Sequence, residues 1–201
     1  MKKILVIGAT GQIGSALMTK LRKEYGNDNV VAGYIEGVPL SDELKNGGPL
    51  EIADVTNAQQ IAAIIDKYKI DSIYNLAAIL SAQAEKRPLL AWNIQIGGVL
   101  NLLEISREKG CSLFTPSSIG AFGDSSPKMK TPQETIQRPR TIYGVSKVSC
   151  ELLSDYYFYR YGVDTRSVRF PGLISYETLP GGGTVSYTHL RAHETLSDIV
   201  C

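Results

Sequence analysis

The chain is short of the residues that staple small proteins or bind metals. Its 201 residues hold three cysteines and two histidines. Cys111, Cys150 and Cys201 are scattered, without metal-ligand spacing. That pattern excludes a disulfide framework and fits reduced thiols in the cytoplasm; a secreted protein with one disulfide is the alternative. Neither sign of charge dominates, since Lys and Arg number 21 against 20 acids, a formal charge of +1. With no basic run, nothing points to nucleic acid or to an anionic membrane surface. No apolar stretch approaches membrane-spanning length, and Met1 leads almost directly into the first apolar run, leaving no room for a signal peptide. What remains is 43% apolar content, enough for one sizeable core and, by default, one domain.

That domain is organised around Ile4-Leu5-Val6-Ile7-Gly8-Ala9-Thr10-Gly11-Gln12-Ile13-Gly14. The unbroken apolar run Ile4 to Ile7 reads as a strand buried on both faces, which belongs in a parallel sheet. From Gln12 an apolar stripe at helical spacing begins (Ile13, Leu17, Leu21). Between the two lies Gly8-x-x-Gly11-x-x-Gly14. Gly8 permits the tight turn, Gly11 lets backbone approach a pyrophosphate, and Gly14 lets helix pack on strand. The N–H groups and positive dipole end of the helix then face the phosphates. The same glycines also serve plain strand–turn–helix units, and it is their place between first strand and first helix that favours a dinucleotide site.

Further along, strands are expected at Asn29–Gly33, Leu50–Ala53, Ser72–Leu76, Ser112–Thr115 and Thr165–Phe170. Helices are expected at Gln12–Tyr25, Asn57–Tyr68, Ala84–Lys109 (irregular near Pro88 and Gly97-Gly98) and Ile142–Tyr161, the last with Leu152, Leu153 and Tyr156 on one stripe. The alternation predicts an α/β Rossmann fold: a doubly wound parallel sheet of six strands with right-handed crossovers and ligands at the carboxyl ends of the strands.

The choice of dinucleotide falls at the end of the second strand, about 20 residues beyond the glycines. An acid there would hold a ribose 2′-OH and an Arg would take a 2′-phosphate. This chain has Tyr34, with Glu36 the nearest acid and no Lys or Arg from Val30 to Leu44. NAD is therefore favoured by exclusion. Asp54 ends the third strand and either accepts from the adenine amino group or caps the helix at Asn57.

Tyr143 and Lys147 stand one helical turn apart, on one face. A phenol of pKa ~10 is a poor base at neutral pH, and an ammonium nearby is expected to lower it. Tyr-x-x-x-Lys also arises by chance as a surface pair. The third element is Ser118, at the carboxyl end of the fifth strand, where its hydroxyl would meet the reacting oxygen at the rim that holds the glycine turn.

Taken together, the glycine turn, Asn75-Leu76-Ala77-Ala78, Ser118, Tyr143-x-x-x-Lys147 and Arg169-Phe170-Pro171-Gly172 resemble the extended short-chain dehydrogenase/reductases, in their sugar-nucleotide epimerase-like branch. The match covers about Met1 to Ile174. Leu76 to Ala82, Pro116 to Ile119, Pro171 to Tyr176 and Leu179 to Thr184 are further similar to the bacterial L-threonine 3-dehydrogenases of that branch. The resemblance implies NAD-dependent oxidation of the threonine hydroxyl to 2-amino-3-ketobutyrate. It makes Tyr143 the base, has Ser118 bind the reacting oxygen, and has Lys147 tune Tyr143 and hold the ribose. It implies cofactor contacts at Gly8, Gly11, Gln12, Ile13, Gly14, Asp54, Val55, Leu76, Ala77, Ala78, Phe170, Pro171 and Leu173, and substrate contacts at Ser81 and Thr184. It also implies a homodimer joined through the long fourth helix and the Tyr-bearing helix. Tyr34 departs from the pattern, which has Asp there. The alternatives are a sugar-nucleotide epimerase or dehydratase and, in another class, a non-catalytic NAD(H)-binding redox sensor.

Beyond Thr184 the chain changes character. Residues 185–201 resemble translated sequencing adapter, so residues 1–184 are expected to form the NAD-binding domain, without most of the substrate lobe of extended members. Both histidines fall in that tail as His189-x-x-x-His193-Glu194. The order is wrong for His-Glu-x-x-His and a third ligand is missing, so no metal site is expected.

Overall fold

A computed structural model describes residues 2–174 and 186–187. Its centre is a six-stranded sheet in the order β3-β2-β1-β4-β5-β7. The strands are β1 (Ile4–Ile7), β2 (Val30–Tyr34), β3 (Leu50–Ile52), β4 (Ser72–Asn75), β5 (Ser112–Phe114) and β7 (Thr165–Arg166). Every pairing is parallel, with β1 in the middle: Ile4 pairs with Val30 on one side and Ser72 on the other. The expected Rossmann sheet is present. Its order reverses between β1 and β4, which opens a crevice at their carboxyl ends.

β1 shows why an unbroken apolar run was needed. Leu5 and Ile7 join Val31, Ile73 and Leu113 in one core, beneath helices α3 (Ala58–Tyr68), α6 (Gly98–Lys109) and α7 (Ile142–Tyr161). Ile4 and Val6 point the other way and join Val30, Ala32, and Met18 and Leu21 of α1 (Gln12–Tyr25). Successive side chains on a strand alternate faces, so a strand between two helical layers has no polar positions to spare. Short α2 (Asp42–Asn46), opened by Ser41 accepting from the Leu44 N–H, adds Leu44 to the second core.

Three expectations need correction. The sixth strand is divided: β7 stays in the main sheet, whereas β8 (Arg169–Phe170) pairs with β6 (Ser117–Ser118). The register never slips, since Leu113 pairs with Thr165 and Ser117 with Arg169, an offset of 52 in both cases. Thr115 and Ser117 still donate to the Arg166 and Val168 carbonyls across the interruption, so the two pieces stay in one line. Secondly, the long helix starts earlier and breaks. α4 (Ser81–Lys86) stops at Arg87, and α5 (Pro88–Trp92) runs through a π-turn at Asn93–Gly97 into α6. Proline at the first helical position restarts the helix without losing a bond. This 22-residue stretch, Pro88–Lys109, is long and apolar enough to cross a bilayer, contrary to the sequence reading, but half of its most apolar window is buried inside the fold. Thirdly, α7 buries only part of the expected stripe: Leu153 packs against the core. Leu152 and Tyr156 are 62% and 51% exposed, and Gly144, Ser146, Lys147, Cys150, Ser154 and Tyr157 face the core instead.

Candidate active site

The glycine turn is built by exclusion of side chains. Gly8 has φ +80°, a conformation that L side chains rarely adopt. A Cβ on Gly14 would lie 2.1 Å from the Gly8 carbonyl oxygen, whereas one on Gly11 would meet only that oxygen, at 3.4 Å. So Gly14 serves packing, and Gly11 faces open space where backbone can come close to a ligand. Gly33 anchors the turn from β2, its carbonyl accepting from the Gly8 and Ala9 N–H groups at 3.0 and 2.9 Å. No side chain caps α1 and its first turn holds no acid, which leaves an electropositive helix end suited to a pyrophosphate. The residues present fit a dinucleotide.

Across the crevice, the chain leaves β4 through Asn75-Leu76-Ala77-Ala78. Asn75 is buried and its Oδ1 accepts from the Ala77 N–H at 3.2 Å, which shapes the exit. Val55 is held against α6: its carbonyl accepts from Asn101, and a Cβ on Gly98 would come within 2.6 Å of its side chain. Asp54 is not a helix cap. Asn57 caps α3 by accepting from the Gln60 N–H, while Asp54 Oδ1 accepts from the N–H and hydroxyl of Thr56.

Tyr34 ends β2 next to Gly33, where the resemblance implies an acid. Hydrogen bonds to a charged group contribute about 1.5–3 kcal/mol. Tyr34→Asp is therefore expected to tighten NAD about tenfold or more by calorimetry; unchanged affinity would mean that the ribose does not reach this position.

Ser118, Tyr143 and Lys147 come together at the far wall. α7 starts at Thr141, whose hydroxyl accepts from the Gly144 N–H. It starts hard against the 3₁₀ turn Ile119–Ala121, because a Cβ on Gly144 would lie 2.3 Å from the Gly120 carbonyl oxygen. The position of a Cβ on Gly120 is 3.3 Å from the Tyr143 ring and 3.4 Å from Ser118 Oγ, so both line one spot. Lys147 Nζ sits 5.5 Å from the Tyr143 ring centroid and donates to the Pro116 carbonyl at 2.8 Å. Phe170 is the ladder partner of Ser118. Pro171 is exposed and Leu173 half-buried in β9 (Leu173–Ile174), which pairs with β10 (Ser186–Tyr187). Ser81 opens α4 one turn before Glu85, whose carboxylate accepts from the Ile142 N–H at 2.7 Å, so α4 is clipped to the start of the tyrosine helix. Thr184 lies outside the described residues, as do both histidines and Cys201. Among the described residues no metal-ligating cluster occurs.

The electrostatics correct one further expectation. Burial raises the Tyr143 phenol above its ordinary value, and the hydrogen bond with Ser118 opposes this without reversing it. Burial likewise lowers Lys147, against the opposing pull of Cys150 and Glu151. Desolvation thus outweighs the expected lowering of the phenol. The same burial pushes the thiols of Cys111 and Cys150 up to about 11. At pH 8 both should resist alkylation in the native protein and react on unfolding. Rapid native labelling of either, read by peptide mass, would contradict their placement in the core.

A parallel sheet with a glycine turn at its switch point and a Ser–Tyr–Lys cluster on the adjacent rim defines a dinucleotide-dependent enzyme fold. The comparisons agree. Residues 4–197 match the model of the NAD dependent epimerase/dehydratase family, and the chain belongs to that family. It is 56% identical over 187 residues to an uncharacterized epimerase/dehydratase of Staphylococcus haemolyticus, covering 93% of this chain and 58% of that protein. Among solved structures it is similar to the L-threonine dehydrogenase of Clostridium difficile, at 57% identity and TM-score 0.85, over 91% of this chain and 57% of the other. It is also similar to the holo form of a GalE-like L-threonine dehydrogenase from Cupriavidus necator, at 43% identity and TM-score 0.85, over 90% of this chain and 58% of that one. The chain thus spans a little under three-fifths of the length of these relatives. NAD, favoured from the absence of a cation beside Tyr34, agrees with the family.

Proposed function

We propose that this chain carries the cofactor-binding and catalytic part of an NAD-dependent L-threonine 3-dehydrogenase. The observation that carries the reading is the convergence of Ser118 and the Tyr143 ring on one spot beside Gly120, with the Lys147 ammonium behind the ring. The substrate hydroxyl is held between Ser118 Oγ and the Tyr143 oxygen, and its proton passes to Tyr143. NAD, when bound, would supply the acceptor for the hydride that leaves the same carbon. Because burial holds the phenol up, every group that favours phenolate counts: the Ser118 hydrogen bond, and the positive charge of Lys147. Lys147 gives one N–H to Pro116 and has two left for ribose hydroxyls. Gly8, Gly11, Gln12, Ile13 and Gly14 would hold the pyrophosphate, Asp54 and Val55 the adenine, and Leu76, Ala77, Ala78, Phe170, Pro171 and Leu173 the nicotinamide. Ser81 would contact threonine, and the resemblance gives Thr184 the same role.

The support for threonine is the likeness to threonine dehydrogenases, while the family description keeps a sugar-nucleotide epimerase or dehydratase as the second reading. A chimera with residues 1–184 in place of the matching part of a full-length relative separates the two. Formation of NADH with L-threonine, and no turnover of UDP-glucose, is expected; the reverse would transfer the chain to the sugar-nucleotide enzymes.

The partner in this reading is a second copy. On α7, Val145, Leu152, Tyr156 and Tyr159 form an exposed stripe, and Leu89 and Trp92 are exposed on α5. Such a stripe on adjacent helices suits a symmetric helix-on-helix contact. Sedimentation should give a dimer that Leu152→Glu converts to monomer. A monomeric parent would remove this part of the proposal.

A further inference from the structure

One carboxylate that takes no part in the proposed chemistry ties together the pieces that do. Glu151 lies one turn beyond Lys147 on α7, and its side chain is 14% exposed. Arg169 grips both of its oxygens, Nε to Oε1 at 3.0 Å and Nη2 to Oε2 at 2.7 Å. The Ser117 hydroxyl donates to Oε1 and Gln137 Nε2 donates to Oε2 at 3.0 Å. Arg169 in turn donates from Nη1 to the Gln133 carbonyl at 2.9 Å and stands 5.2 Å from the centroid of the Phe122 ring.

Each of these partners neighbours a residue of the candidate site. Ser117 precedes Ser118 on β6, and Arg169 precedes Phe170 on β8. Gln133 and Gln137 belong to the segment 122–141, without helix or strand, that delivers the chain to Tyr143. The carboxylate itself sits on the helix of Tyr143 and Lys147. Four donors on one acceptor leave it fully engaged, and they hold Glu151 below the ordinary carboxylate range in spite of its burial. A buried ion pair is weak evidence for stability, because desolvation offsets most of the attraction. A bidentate pair does fix relative orientation.

We propose that Glu151, clamped by Arg169, is the positioning residue that sets the distance between Ser118 and Tyr143, by holding the β6–β8 ribbon and the segment 122–141 against α7. The proposal rests on the Ser–Tyr–Lys reading above. It assigns work to two residues that touch neither substrate nor cofactor.

The test uses the 201-residue chain with ¹³C-labelled tyrosine. The Tyr143 resonance is identified by its loss in Tyr143→Phe. The groups that face this phenol are Ser118 and Lys147, so its titration reports their placement. Glu151→Gln is expected to shift that titration upward by about one pH unit, a tenfold loss of phenolate, because the Ser118 hydrogen bond that favours phenolate loosens. NAD affinity should fall by less than the phenolate fraction, the glycine turn that holds the pyrophosphate being remote from the clamp. Glu151→Asp, which keeps the charge, should recover part of the shift. Ser117→Ala, which leaves the ion pair intact, should move it less in the same direction, and it decides the matter if Glu151→Gln does not fold. A lowered melting midpoint with an unchanged Tyr143 titration in these variants would reduce the clamp to a structural tie and overturn the proposal. If the parent's Tyr143 resonance ignores NAD, the site reading itself has failed; if it responds to NAD but not to the clamp variants, the positioning role alone has.

Discussion

Tyr143→Phe in the chimera is expected to slow hydride transfer by about 10²–10⁴-fold, the usual range for a general acid–base group. NAD affinity should be nearly unchanged. The substitution deletes one oxygen and keeps the ring that packs beside Gly120 and Lys147, so the site keeps its shape. The phenol stands at the opposite wall from the glycine turn and contributes little to holding the pyrophosphate. The loss should therefore appear in kcat. A matched fall in affinity would mean that Tyr143 is a binding group, and a rate within a few-fold of the parent would assign the proton to another residue. Single-turnover rates and calorimetry on the same preparation separate these outcomes.

Gly14→Ala is the second large effect, and it acts at the other wall. The added Cβ would lie 2.1 Å from the Gly8 carbonyl oxygen and 2.9 Å from Ala9 Cα, and both are backbone atoms that no rotamer change can move aside. Either α1 lifts from β1 or the turn deforms. Overpacking of this kind costs about 1–3 kcal/mol of stability, and affinity falls because the deformed turn no longer presents its N–H groups to the pyrophosphate. Gly11→Ala makes the contrast, since its Cβ meets the protein only at ordinary contact distance and would obstruct the ligand alone. Gly14→Ala should weaken NAD and lower the melting midpoint together; Gly11→Ala should weaken NAD with the midpoint unchanged. If neither loses affinity, the dinucleotide lies elsewhere.

These contrasts show where the sequence was readable. The β1 run and the glycine spacing are local signals, and each maps onto one strand, one turn and one helix, so the sheet and its cofactor end were legible. The tyrosine helix was placed correctly but its faces only in part. The stripe Leu152, Leu153 and Tyr156 holds for Leu153 alone, whereas the buried face carries Lys147, Cys150 and Ser154, which a hydropathy stripe does not select. α2 was missed because five residues are too few for a period; only Ser41 followed by two acids marked its start. The Glu151–Arg169 clamp joins residues 18 apart by a contact that no spacing rule announces, and Gly33 and Asn75 work through carbonyl and amide groups that become visible only once strands are paired.

The central claim is that Ser118, Tyr143 and Lys147 share one pocket with the nicotinamide. The most direct measurement compares NAD with ADP-ribose, which has the same adenine, pyrophosphate and ribose but no nicotinamide, while following the assigned Tyr143 ¹³C resonance. Both ligands should bind at the glycine turn, and NAD alone should displace the Tyr143 signal. Equal displacement by the two, or none by NAD at saturation, would contradict the account.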